Sequence, residues 1–256
     1  MLTVFRIAFG AVCSLKAMSF SCIAVSLLVS GASTETSFRS ATLALCGGLL
    51  MTAASIALML GYRARVAATA VVATGCAFLI PLGAYNHHLY LLILIALILA
   101  VDVEVELLLK IQLTIVYAFG TLAKVNDVFL SGTELHISMV DRFLWATFVG
   151  QPASPEILIP LSVGVVVSEG FLAVGFWFRA TRWVALAVGI GLHLGMLVLL
   201  SDSVARAVNL VVYGSLMYTL YIPFFSDKIG PWWTRRSEAR AAEGPGGPLA
   251  DHRRES

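Results

Sequence analysis

The chain has 256 residues, 59% of them hydrophobic and 12% charged, with a formal net charge of +2 and a mean hydropathy of +0.90. Soluble domains carry about 25% charged residues, so an ordinary soluble globular domain is excluded, and no nucleic-acid partner is expected. The few charges collect between apolar runs long enough to cross a bilayer as helices, which predicts an all-α polytopic transmembrane bundle in the cell membrane.

About eight spans are expected, at roughly 4–30, 41–61, 65–84, 88–101, 107–125, 157–178, 183–201 and 205–225. A β-barrel would alternate apolar and polar residues, and these runs are continuously apolar. The first run follows Arg6, reaches about Gly31 and carries no clean small-residue cleavage site, so it reads as a retained helix rather than a signal peptide. Within it Lys16 either pairs with a carboxylate or snorkels. Cys13, Cys22, Cys46 and Cys76 fall inside spans without metal-ligand spacing and read as small buried residues.

Arg63 and Arg65 follow the second span, and Asn86, His87 and His88 open the fourth, which is short for a full crossing. Two adjacent histidines and an amide suit a metal, a quinone oxygen or a proton, or they simply cap a helix in water. Neighbours on a helix point about 100° apart, so only one of the two histidines can enter a given pocket. The acidic turn of Asp102, Glu104 and Glu106 leads into the fifth span.

That fifth span carries the most conspicuous side chain. An ammonium at bilayer depth costs at least about 2.5 kcal/mol, yet Lys124 closes the apolar run from Ile111. Tyr117 lies two turns before it on the same face, with Gly120 between them leaving room for a ligand or another backbone. Lys110, fourteen residues before Lys124, falls about 21 Å away and reads as an interfacial lysine. Lys124 itself either snorkels at the outer interface or has a functional role.

Beyond a loop segment at 126–156, Glu169 lies mid-way along the sixth span and His193 along the seventh. Ionisable groups at such depth face the bundle interior and pair, and a hydrogen bond between these two would satisfy both. Gly164 with Ser168, and Gly191 with Gly195, have the small-xxx-small spacing of closely packed helices. No phosphate loop, GxSxG elbow, HExxH pair or internal repeat occurs.

Arg63 and Arg65, Arg179 and Arg182, and Lys228, Arg235, Arg236 and Arg240 share one side of an eight-span chain. The positive-inside rule then places both termini in the cytoplasm and residues 86–88 and 126–156 on the outer face. The expected organisation is a membrane domain over 1–227 and a basic, disordered cytoplasmic tail over 228–256, rich in Arg, Glu, Gly and Pro.

The segment Leu108–Gly132, with Gln112, Ile115-Val116-Tyr117, Gly120, Lys124, Asp127 and Gly132, resembles a helix and following loop of the vitamin K-dependent gamma-carboxylases and their wider bacterial relatives, the horizontally transferred transmembrane (HTTM) domain superfamily. Phe5-Arg6-Ile7 with Gly10, Asn86-His87-His88-Leu89-Tyr90, Glu169, the basic turn Phe178–Arg182 and His193-Leu194 extend the likeness in order along nearly the whole chain.

The resemblance implies a catalytic lysine, matched by Lys124, acting as base on a reduced quinone such as menaquinone or vitamin K hydroquinone, with O2 and CO2 as co-substrates. It implies a functional histidine matched by His88, with Asn86, Tyr117, Glu169 and His193 holding or bracing the quinone. The animal carboxylases add a large extracytoplasmic domain and carry a second lysine where this chain has Ala123. The size is closer to that of small superfamily members, some of which mature secreted peptide toxins. Two functions are therefore expected to compete. One is a quinone-dependent, carboxylase-like (lyase or oxidoreductase) enzyme. The other is a non-catalytic protein that assists maturation, export or immunity of a secreted peptide through 126–156, around Phe129, Trp145 and Phe148.

Overall fold

The computed structural model describes residues 1–30, 35–79, 87–139, 154–201 and 203–227. Asn86, Trp145, Phe148 and the whole tail 228–256 lie outside these residues. The described chain is all α. Its helices are α1 (Leu2–Val29), α2 (Glu35–Leu60), α3 (Ala64–Leu79), α4 (His87–Val101), α5 (Val105–Lys124), the short α6 (Asp127–Leu130) and α7 (Thr133–Met139), then α8 (Pro155–Gly175), α9 (Arg182–Leu200) and α10 (Val204–Tyr221) with a closing 3-10 turn at Ile222–Phe225.

Six of the helices are long and apolar enough to cross a membrane, namely α1, α2, α5, α8, α9 and α10. At 16 and 15 residues, α3 and α4 are shorter. A helix rises 1.5 Å per residue, so they extend about 24 and 22 Å. Bundling buries one stripe of each helix, with the rest of the surface apolar and turned outward, as lipid-facing helices require. Of the cysteines only Cys13 is buried. Cys22 and Cys46 face outward, because they lie off the packed stripes of α1 and α2.

Charge gathers at one end. Arg6 lies against Gly61 in the turn after α2. The α4–α5 turn is reversed by left-handed backbone at Asp102 (φ +55°) and Glu104 (φ +45°), a conformation that Asp tolerates. Asp102 accepts hydrogen bonds from Arg65 Nε and Nη2 at 2.8 and 2.6 Å. The acidic turn thus sits at the arginine-rich end because it neutralises the α2–α3 turn. Glu106 there takes up Lys110 at 2.6 Å and the Ser226 hydroxyl at 2.8 Å, so Lys110 is ion-paired at this end.

The central helix is α10. It has the lowest mean hydropathy of the six, 1.4, and is the most enclosed, with 50% of its span buried against 17–28% elsewhere. Its polar side chains can sit in a span because other helices cover them.

Pairing of α5 with α8 fixes the depth of the site. Trp177 donates its indole N–H to Thr114 at 2.8 Å, Gly170 faces Thr121, and Gly120 faces Glu169. The end of α5 therefore meets α8 at Glu169, and Pro155–Ser168 run on beyond it for about 21 Å. Lys124 therefore lies fourteen residues along α8 from that helix's start, beside Glu169, rather than level with its end. The chain instead continues past it as α6 and α7, which pack along the free stretch of α8. Asn126 caps α6 by accepting the Phe129 N–H at 2.9 Å. Gly132 makes the next turn with φ +78°, where a Cβ would lie 2.8 Å from that of Leu158.

Candidate functional site

Lys124 Nζ donates to both carboxylate oxygens of Glu169, at 2.9 and 2.7 Å, and to the Gly120 carbonyl at 3.3 Å. The side chains are 29% and 10% exposed. A charge so placed requires its counter-charge, and absence of a side chain on Gly120 makes the approach possible. A Cβ there would meet the Glu169 carboxylate oxygens at 3.2 and 3.5 Å. The room expected beside Gly120 for a ligand or a backbone is occupied by this carboxylate.

The expected hydrogen bond between Glu169 and His193 does not form. An ammonium is a stronger partner for a carboxylate than an imidazole, and His193 pairs elsewhere: its Nε2 lies 3.0 Å from Tyr117 Oη. Tyr117 also hydrogen-bonds the Tyr221 hydroxyl. Tyr213 stands edge-on to His193, with ring centroids 5.6 Å apart, and stacks on His88 at 5.1 Å. The candidate residues thus form two groups joined through α5, the Lys124–Glu169 ion pair with α8 and a polar and aromatic cluster of Tyr117, His193, Tyr221, Tyr213 and His88 from α5, α9, α10 and α4.

Of the two adjacent histidines, His87 is exposed and His88 turns inward, as their angular separation requires. The Nδ1 atom of His88 is buried without a hydrogen-bond partner among the described residues. Lys16 neither meets a carboxylate nor snorkels. It is 4% exposed, donates to the Asn209 side-chain carbonyl at 2.8 Å and rests over the Phe20 ring at 4.9 Å.

An apolar cleft of about 480 Å³ opens between α8 and α9, with Lys124 and Glu169 in its wall and Phe129 and Leu135 of α6 and α7 across it. Volumes of this size accept small organic ligands. Gly164, Gly191 and Gly195 line it, and a Cβ on any of them would have nothing within 4 Å. These small residues do not bring helices together as expected; they leave space. Of the expected site residues, Lys124 and Glu169 face the cleft, Tyr117 and His193 lie behind them, and His88 is one ring farther, past Tyr213.

Tyr213, Tyr221 and Asn209 escaped the sequence reading. Their signal is the four-residue spacing Asn209, Tyr213, Met217, Tyr221, one stripe of α10. No protein-family model, curated protein or solved structure matches the chain.

Proposed function

We propose that this chain is a membrane enzyme of the gamma-carboxylase-like kind, binding a reduced quinone such as menaquinone or vitamin K hydroquinone with its apolar tail in the α8–α9 cleft. The observation that carries the reading is one ion pair, Lys124 with Glu169, in the wall of an otherwise apolar cleft between helices long enough to span a membrane. Such a cleft suits a ligand with a long apolar body and a single hydrogen-bonding end. The residues present fit this group: Lys124 and Glu169 supply both a donor and an acceptor to a hydroxyl, and the glycine-lined walls admit a chain.

A bound reduced quinone supplies hydroxyl protons and, with O2, the oxidation that drives carboxylation by CO2. The protein supplies the proton acceptor. Lys124 is already hydrogen-bonded to Glu169, so passing one of its protons to a Glu169 oxygen leaves a free amine and a neutral acid in place, without stranding a charge. The free amine then accepts the ligand's hydroxyl proton. Tyr117, fixed by His193 and Tyr221, holds the rear of the site closed, while Phe129 and Leu135 limit water entry. His88 acts through Tyr213 as a positioning residue.

The function of α6 and α7 as cover also weighs against a surface role for Phe129, which is buried against Leu158 and Leu135. The test is turnover of reduced menaquinone by the purified protein in lipid nanodiscs under O2. Oxidised quinone or epoxide should form with the wild type and be lost in the Lys124→Met/Glu169→Gln double variant, which keeps the site uncharged and folded. Absence of turnover in the wild type, or turnover unchanged in the double variant, overturns the reading.

A further inference from the structure

At the arginine-rich end, the turn between α8 and α9 and the last residues after α10 enclose a second, polar cavity of about 260 Å³. Arg179, Arg182, Trp183, Phe225 and Asp227 line it. From these residues we infer that it is a binding site for the phosphate of an anionic phospholipid at the membrane surface, separate from the cleft around Lys124.

Three features select this ligand. The first is charge. Asp227 is shared by two guanidinium groups, taking Arg179 Nη2 at 3.1 Å and lying 3.5 Å from Arg182 Nη1. The cavity therefore carries a net charge of +1, complementary to the single negative charge of a phosphodiester. Guanidinium groups present five N–H donors each, and Arg is suited to phosphate by its fork of donors. Arg182 is held by its Nε donating to the Phe176 carbonyl at 3.1 Å, and among the described residues its Nη2 is left for a ligand.

The second is the wall. Trp183 and Phe225 pack with ring centroids 4.9 Å apart, and Trp183 is 63% exposed. Among the described residues its indole N–H has no hydrogen-bond partner, so it offers a further donor. An exposed indole beside guanidinium groups has one face for acyl chains and an edge for headgroups.

The third is depth. Residues 176–181 connect the ends of two helices long enough to span the membrane, and Trp177 and Phe178 are exposed beside them. This is where aromatic belts meet the headgroup layer, and where basic pockets between helices take anionic lipid headgroups. A free phosphate would gain nothing from the exposed rings, whereas a lipid places its glycerol and upper acyl carbons there.

The experiment uses the full chain in detergent micelles, titrated with short-chain phosphatidylglycerol or phosphatidylcholine and read by native mass spectrometry and thermal melting. Phosphatidylglycerol should bind at least tenfold more tightly than phosphatidylcholine. Arg179→Gln removes a mostly exposed side chain and should leave the unliganded melting temperature unchanged while weakening phosphatidylglycerol binding several-fold. Asp227→Asn raises the cavity charge and should tighten it, an opposite sign that a merely structural role would not produce. Arg65→Gln, at the same end but outside the cavity, should leave it unaltered. Equal binding of the two lipids, equal protection by inorganic phosphate alone, or Arg65→Gln weakening binding as much as Arg179→Gln would overturn the assignment. Quinone turnover plays no part in the readout, so the result is independent of the function proposed for the cleft.

Discussion

Among α1–α4, glycines bring helices together: a Cβ on Gly10 would lie 2.8 Å from the Ser55 carbonyl oxygen, one on Gly48 3.1 Å from that of Ala17, and one on Gly75 2.5 Å from Ile93. Between α8 and α9, the same residue type does the opposite. A Cβ on Gly164, Gly191 or Gly195 would meet nothing within 4 Å, and all three line the cleft. Lipid tails give helices no hydrophobic reason to associate, so close contact of small residues must supply packing instead. The first region uses its glycines for that purpose. The second leaves its glycines unopposed, and α5 ties the two sides of the cleft together through polar pairs, Lys124 with Glu169 on α8 and Tyr117 with His193 on α9 and Tyr221 on α10.

If this division is right, the largest loss of stability should come from breaking the ion pair. Lys124→Met strands a largely buried carboxylate and should cost on the order of 3 kcal/mol, read as unfolding in detergent, while Lys124→Met/Glu169→Gln should recover most of it. Gly10→Leu comes next, at about 2 kcal/mol, since the added side chain must displace α2 backbone. The matched change in the open region, Gly191→Leu, should stay within about 0.5 kcal/mol while blocking entry of an apolar ligand to the cleft. If Gly191→Leu unfolds the protein as Gly10→Leu does, the two regions are not different. Tyr221→Phe should fall between these at about 1 kcal/mol, because the Tyr117 hydroxyl retains His193. A similarly small effect belongs to Arg65→Gln, whose pair with Asp102 is mostly exposed and, like most surface ion pairs, is worth no more than about 0.5 kcal/mol.

Hydropathy alone located the long helices, with α2 starting six residues before the expected span, because each span needs an unbroken apolar run whatever it packs against, whereas the short α6 and α7 within 126–156 gave no such signal. The pairing of polar groups was less legible. Glu169 and His193 each need a partner, and both have one, but which partner depends on the register of α5 against α8, and no spacing within one helix encodes that. The depth of Lys124 was hidden for the same reason: α5 ends at Lys124, yet α8 extends fourteen residues past it. Small-xxx-small spacing likewise says that a helix can be approached, not that anything approaches it. The acidic residue Asp102 is explained only by its neighbour Arg65, 37 positions earlier. The stripe of Asn209, Tyr213 and Tyr221 was readable as periodicity, and was missed because tyrosines in an apolar run look like ordinary filling.

The contact between Lys16 and Asn209 joins positions 193 residues apart. Its consequence concerns the order of assembly. Helix α1 is made with a lysine at its middle and no acidic residue of its own, and the amide that accepts its hydrogen bond belongs to α10, the last of the described helices. Until α10 is inserted, the Lys16 ammonium lacks this acceptor, so a chain stopped before residue 209 should hold α1 in the bilayer less stably than one that includes α10.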